Sequence, residues 1–477
     1  MPISQNYRPE ALHRTLGNDF FDEVEPAVFP KHVLRWRNDR AAARVGLAAL
    51  TGEEWIAHFG RFEPLPDNLP RPLALRYHGH QFRSYNPDLG DGRGFLFAQL
   101  RDAIDGRLLD LGTKGSGKTP WSRQGDGRLT LKGGVRELLA SELLEALGVD
   151  TSKTFSLIET GEALIRGDEP SPTRACVLTR LSHSHIRIGT FQRLSFLEDR
   201  AGIERLLAYC VDHYFPHLEA EPAARRPLAV LETVIARVAR LASRYMVSGF
   251  VHGVLNSDNI NITGESFDYG PWRFAPRWDA NFTAAYFDQS GLYSFGRQPG
   301  ALGWNLSRFA ECLLPLVGLA DAEKALDRYQ DAVRAGFRAA LLDRLGLRPA
   351  GDDADAALAK SVVDFLVASQ APFERFFFDW RGGLTSEARA AVSPEAAQYS
   401  GALFAPLRET LAAHEPAPGA LDHGYFAGAA PCTLLIDEVE AIWDPIARDD
   451  DWGALEAKLE AIASVRAAYA GDDGDLP

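Results

Sequence analysis

The run Val251–Gly270, VHGVLNSDNINITGESFDYG, constrains this chain more tightly than any other. Its apolar start reads as a short strand or helix end, followed by a polar loop. Ile260–Thr263 reads as a strand, Gly264-Glu265 as a turn, and a second strand ends in Asp268-Tyr269-Gly270. Asp258, Asn259 and Asp268 are the polar groups expected to converge there. A carboxamide at Asn259 and a carboxylate at Asp268, on adjacent short strands, are hard oxygen donors. Mg²⁺ is held in this way, by few protein groups plus the phosphates of a substrate.

Upstream motifs give that loop a context. Gly90-Asp91-Gly92-Arg93-Gly94 leads into the apolar run Phe95–Leu100, a turn at Asp105-Gly106 and a second apolar run, Leu108–Leu111, with Lys114 at its end. This is a β-hairpin with a glycine-rich start, where backbone N–H groups can approach phosphate. A helix over Gly133–Leu147 carries Glu137. Gly-rich hairpin, strand Lys, helix Glu and then a metal-binding Asn and Asp is the order of a protein kinase. The loop departs from that pattern at one place. Counting H-x-D-x-x-x-x-N from His252 puts the usual base at Val254, while the Asn falls correctly at Asn259.

Gly112–Thr119, GTKGSGKT, matches the phosphate-binding G-x-x-x-x-G-K-[ST] pattern. That pattern needs a helix immediately after it. Pro120, Gly125 and Gly127 disfavour one, so Gly115–Arg128 reads as a mobile polar flap. Asp126-Gly127 within it is either a nucleotide contact or a plain turn. Thr154–Glu159, Glu162–Arg166 and Ala175–Arg180 read as strands. Arg180 and Arg187 then flank a Ser/His-rich segment where a kinase walls its apolar adenine slot, and two arginines suit phosphate better than a purine. His183 and His185 read as packing or solvent-facing. Helices are expected over Phe196–His213, Leu228–Met246, Trp304–Val317, Asp321–Leu345, Asp355–Ala368, Ser386–Ala413, Thr433–Trp443 and Trp452–Tyr469. Residues 1–70 read as a packing extension, with a helix Gly52–Phe59 capped by Thr51. Asp472–Asp475 reads as a disordered acidic tail.

The totals exclude some classes. With 477 residues the chain is long enough for more than one domain, and 46% apolar with 24% charged content is ordinary for a globular protein. The net charge of −14 argues against a non-specific nucleic-acid binder. Cys176, Cys210, Cys312 and Cys432 lie far apart with no C-x-x-C spacing, so neither a zinc site nor a disulfide framework is expected. The cytoplasm is the expected compartment. No apolar run reaches the roughly 18 residues of a membrane span.

Together, GHQFRSYNPDLGDGRG, TKGSGKTPWSRQGDGR, VRELLASE, SHIRIGTF, HGVLNSDN with FDYGP, and GLYSFGRQP with WNL resemble the selenoprotein O family in order and spacing, over about residues 76–310. The resemblance implies an α+β, protein-kinase-like fold of two lobes, a β-rich small one with one key helix and a mainly helical large one. The lobes would span 76–195 and 196–350, with extensions at 1–75 and 351–477. It implies a protein adenylyltransferase that moves AMP from ATP to Ser, Thr or Tyr hydroxyls and releases pyrophosphate, with UTP as an alternative donor. ATP would sit flipped relative to a kinase. Gly90, Gly92, Arg93, Lys114, Asp126, Gly127 and Asp268 would contact nucleotide, and Arg180 and Arg187 the inner phosphates. Glu137 would pair with Lys114. Asp258 would be the proton acceptor, and Asn259 and Asp268 would hold Mg²⁺ or Mn²⁺. The implied partners are protein acceptors of a monomeric enzyme, with no nucleic acid and no membrane. Arg83 and Thr113 depart from the family pattern, and no cysteine near the C-terminus offers redox control. A kinase-type phosphotransferase and a nucleotide-binding scaffold without activity remain the alternatives.

Overall fold

The runs Phe95–Leu100 and Leu108–Leu111 build the expected hairpin. Strands Leu96–Arg101 and Leu108–Lys114 pair antiparallel, with Leu100 opposite Leu109, and Gly106 turns the chain at φ 75°. A computed structural model describes residues 4–167 and 169–470. In it this hairpin sits at the centre of a large antiparallel sheet. The strand order is Phe21–Glu23, Leu73–Leu75, Leu96–Arg101, Leu108–Lys114, Thr173–Ser182, Lys153–Leu164 and Val33–Arg37. Pro9–Glu10 and Leu129–Thr130 add short pairings.

Continuous apolar runs, rather than alternation, are what a sheet covered on both faces requires. One face carries Leu96, Leu108, Leu157 and Leu178 and packs on the helix Leu131–Ala146. The other carries Phe97, Leu109, Leu111 and Phe155 and packs on Trp55 and Phe59 from the N-terminal segment. That segment therefore covers a sheet face and also supplies both edge strands of the main path. Its helix Gly52–Phe59 starts at Thr51 as expected, with a complete Thr51/Glu54 capping box.

Beyond the sheet the chain is mainly helical. The apolar cluster under Leu131–Ala146 continues without a break into the helices Arg200–Tyr214, Arg226–Ser248 and Gln298–Leu313. A second cluster joins Tyr329–Leu345, Asp352–Ser369 and Phe373–Trp380. Among the described residues no helix is long and apolar enough to cross a membrane. All four cysteines are free thiols.

Several expected elements differ. Glu162–Arg166 is not a separate strand: Lys153–Leu164 runs through, with a register shift between Glu159 and Ala163. The helix expected over Phe196–His213 breaks where Asp199 caps a new one through the Gly202 N–H, giving Ile188–Phe196 and Arg200–Tyr214. Asp321–Leu345 divides at Arg328, and Ser386–Ala413 is three short helices. The two strands read within Val251–Gly270 are absent as strands. Asn261 Oδ1 accepts the Thr263 N–H and hydroxyl, and Gly264 takes φ 77°, so the chain turns. Only isolated bridges, Asn261 to Arg187 and Ser266 to Thr151, remain. The acidic tail at 472–475 lies outside the described residues.

Gly134 brings the helix Leu131–Ala146 against the sheet, since a Cβ there would come within 2.6 Å of both Cys176 Sγ and Leu157 Cδ1. Gly134→Leu is expected to cost about 1–3 kcal/mol by overpacking. Urea unfolding checks this, and a wild-type midpoint would contradict so close a contact.

Candidate active site

Lys114 ends its strand opposite Leu178, and Arg180 stands opposite Gly112 on the adjoining strand. Side chains two apart share a face, so Lys114 and Arg180 project from the same side of the sheet. Glu137, in the second turn of the helix Leu131–Ala146, faces them. Thr130 caps that helix by accepting the Gly133 N–H. Lys114 Nζ donates to Glu137 Oε2 at 2.6 Å and to Asp268 Oδ1 at 2.7 Å. Arg180 Nη1 lies 3.3 Å from Glu137 Oε1 and 3.5 Å from Asp268 Oδ1. Asp268 occupies the left-handed backbone region at φ 61°, rare for a residue other than glycine. Burial alone would raise its carboxyl pKa. Lys114, Arg180, Arg93 and Arg187 outweigh burial and hold it well below the usual carboxylate range.

Arg187 lines the same cleft. Its guanidinium lies 4.3 Å from the Tyr77 ring centroid and 4.8 Å from that of Phe267. Nη1 donates to the Asp258 carbonyl at 3.0 Å, and Nη2 to Asp91 Oδ1 at 3.3 Å. Asp258 sits in a single 3₁₀ turn, Ser257–Asn259. Ser257 fixes that turn by accepting the His80 N–H at 2.7 Å and donating to Gln192 Oε1 at 2.5 Å. Gly79 makes room for the carboxyl, since a Cβ there would lie 2.8 Å from Asp258 Oδ1. That buried oxygen has no hydrogen-bond partner among the described residues. Burial pushes the Asp258 carboxyl up to about 6, against the pull of Arg187.

The segment Gly115–Arg128 folds over the glycine-rich turn, and no helix follows the GKT sequence. It is tied down rather than loose at its base. Gly115 N–H donates to the Arg93 carbonyl at 2.6 Å, Thr119 Oγ1 to the Asp91 carbonyl at 2.5 Å and Ser122 Oγ to the Gly92 carbonyl at 2.5 Å. At the outer end Gly127 takes φ 71°, and Asp126 pairs with Arg166 at 2.8 Å. Between flap and sheet lies a cleft of about 580 Å³. Seven Lys and Arg residues line it against four aspartates. In a chain of net charge −14, that local excess of cations fits a polyanion.

Gly90, Gly92, Arg93, Lys114, Asp126, Gly127, Arg180, Arg187, Asp258 and Asp268 all line this one cleft. Glu137 stands behind Lys114. Asn259 is half-buried and is not part of the cleft lining. Asp91, Tyr77 and Arg166 line it too, without having been singled out from sequence. Asp91 lies inside the GDGRG run, where the glycines drew the reading. Tyr77 carries no local pattern, because its role is to stack on an arginine far along the chain. His183 and His185 are buried.

The donor set fits a hard divalent cation. Asn259 gives its amide N–H to the Val254 carbonyl at 2.9 Å, which leaves Oδ1 as an acceptor. Lys114 and Arg180 both approach Oδ1 of Asp268, leaving Oδ2 to other partners. Among the described residues no three His, Cys, Asp or Glu side chains form a metal cluster, so such an ion would complete its shell from ligand oxygens.

A family model described as "Protein adenylyltransferase SelO" matches residues 3–463. A "Protein nucleotidyltransferase YdiU" of Synechocystis is 43% identical over 96% of this chain and 98% of its own length. Proteins of the same name from Trichormus variabilis and Gloeobacter violaceus are 42% and 43% identical, each over 97% of this chain and 96% and 95% of their own lengths. A match of this extent, across sheet, flap and helices alike, identifies the chain as a member of the SelO family of nucleotidyltransferases.

Proposed function

We propose that this protein transfers AMP from ATP to Ser, Thr or Tyr hydroxyls of other proteins and releases pyrophosphate. The observation that carries the reading is the pair of buried arginines, Arg180 and Arg187, on the cleft wall beside Lys114 and Asp268. In this reading the fold is kinase-like, with a small lobe over 76–195 and a large lobe over 196–350. ATP lies flipped in the cleft, its γ- and β-phosphates toward Arg180, Arg187 and Lys114. The glycine-rich turn, Arg93 and Asp126-Gly127 hold the rest of the nucleotide.

Chemistry then needs little beyond positioning and charge neutralisation. The acceptor oxygen forms a bond to the α-phosphorus as the α–β bridging bond breaks. The proton of the acceptor hydroxyl passes to the Asp258 carboxylate, and pyrophosphate leaves toward the arginines. Asn259 and Asp268 would hold Mg²⁺ or Mn²⁺, which when bound neutralises phosphate charge. Asp268 suits that task because it stays ionised, and Asp258 suits proton transfer because its carboxyl titrates near the working pH. A kinase reading lacks a base at the usual place, where this chain has Val254.

With α-³²P-ATP, wild-type protein is expected to label an acceptor protein, and Asp268→Ala to abolish the label. γ-³²P-ATP is expected to leave protein unlabelled, and label from the γ position would overturn the reading in favour of a kinase. Transfer should rise with pH through about 6 as Asp258 ionises. Asp258→Asn should lower kcat by roughly 10²-fold or more and remove that limb of the pH profile. Val254→Asp should create no γ-phosphoryl transfer, as judged by the same γ-label assay.

A further inference from the structure

Tyr286 and Phe287 are unusual on this surface, 82% and 46% exposed. Large aromatic side chains left together in water mark interaction sites. These two project from a fixed turn. Asp288 is buried beside them and accepts the Leu292 and Tyr293 N–H groups, each at 2.8 Å. The Phe295 N–H closes the base on the Phe282 carbonyl at 2.9 Å.

Ring contacts run from this turn inward. Centroids are 5.2 Å apart for Tyr286 and Phe287, 5.9 Å for Phe287 and Phe82, and 5.0 Å for Phe82 and Tyr293. The Tyr293 hydroxyl donates to Asn256 Oδ1 at 2.8 Å, and the same oxygen accepts the Phe82 N–H at 3.1 Å. Asn256 lies two residues before Asp258. Ring contacts thus run from exposed Tyr286 and Phe287, through half-buried Phe82 and buried Tyr293, to the turn that holds the proposed proton acceptor, and nothing in the transfer chemistry accounts for the exposed pair.

We propose that Tyr286, Phe287 and Phe82 form the docking platform for the acceptor protein, taking an apolar side chain that flanks the hydroxyl-bearing residue. The inference rests on AMP transfer to protein hydroxyls as proposed above. A fixed aromatic surface buries apolar area at little ordering cost. The three aromatics lie outside the cleft lining, and Phe82 directly follows Gln81, which lines it beside Asp258.

The test is a Tyr286→Ala/Phe287→Ala variant of the full chain, read in two ways. The first is fluorescence anisotropy of a short labelled peptide with a central Ser flanked by Leu and Phe, against the same peptide with Asp in both flanking places. The second is α-³²P-AMP transfer to the Leu/Phe peptide. The wild type is expected to bind the apolar peptide the more tightly. The variant is expected to weaken that binding, and to raise the peptide KM, by about tenfold. Thermal stabilisation by ATP should be unchanged. Equal peptide binding by wild type and variant, or equal binding of the two peptides, would overturn the docking inference. So would a parallel loss of ATP stabilisation, which would place the effect on the nucleotide site. Absence of AMP transfer by a wild type that binds the apolar peptide would instead sink the proposed function.

Discussion

Lys114 is a buried ammonium held between two carboxylates, and three distant parts of the chain meet on it. The strand Leu108–Lys114 brings the lysine, the helix Leu131–Ala146 brings Glu137, and the turn after Phe267 brings Asp268. Charges removed from water are tolerated only when paired, and removing one partner of such a pair costs about 3–5 kcal/mol. The three parts are therefore set relative to one another by the same contacts that charge the cleft. Arg180 and Arg187 are added to this set without full compensation. Arg180 Nε and Nη1 and Arg187 Nε are buried with no hydrogen-bond partner among the described residues. In the proposed function, the phosphate chain of the nucleotide would supply the acceptors they lack.

The same field separates two aspartates in chemical character. Asp268 sits where Lys114 and the arginines converge and is held ionised. Asp258 is the more deeply buried of the two, Arg187 is the one cation that opposes its burial, and its carboxyl is pushed up to about 6. Environments of this kind push the proton affinities of two carboxyls apart, which is what the proposed division into a charge anchor and a proton acceptor requires. Asp91, within the glycine-rich turn, accepts from Arg187 Nη2 and from the Leu75 N–H.

Much of the site was legible because its residues come in short, chemically distinctive runs. GDGRG, Lys114, Glu137, Arg180, Arg187 and DN…D each carry residue types that a packed core or a solvated surface rarely asks for, and the fold brings all of them except Asn259 to one cleft or directly behind it. The hairpin and long helices were legible through apolar runs and helical period. Turns and breaks were less so. The two strands read in Val251–Gly270 fail because Asn261 uses its side chain to hold a turn. The break at Asp199 hides inside a continuous helical pattern because a cap is a single residue. Tyr77 and Asp91 act by stacking on or bonding to Arg187, a partner far along the chain that no local pattern discloses. That residues 1–70 pack on the core was expected, but not that they cover the second sheet face and supply both edge strands, since apolar runs reveal that a face is buried and not what buries it.

The central claim is that Arg180 and Arg187 receive the outer phosphates of a flipped nucleotide. Calorimetric titration of Arg187→Ala with ATP and with AMP, each beside the wild type, addresses it directly. A differential loss is expected, with ATP affinity falling by roughly 10²-fold, in the range of a lost charged contact, while AMP affinity stays at its wild-type value. Equal losses for ATP and AMP would contradict the account, because they would put the arginine at the nucleoside end of the ligand.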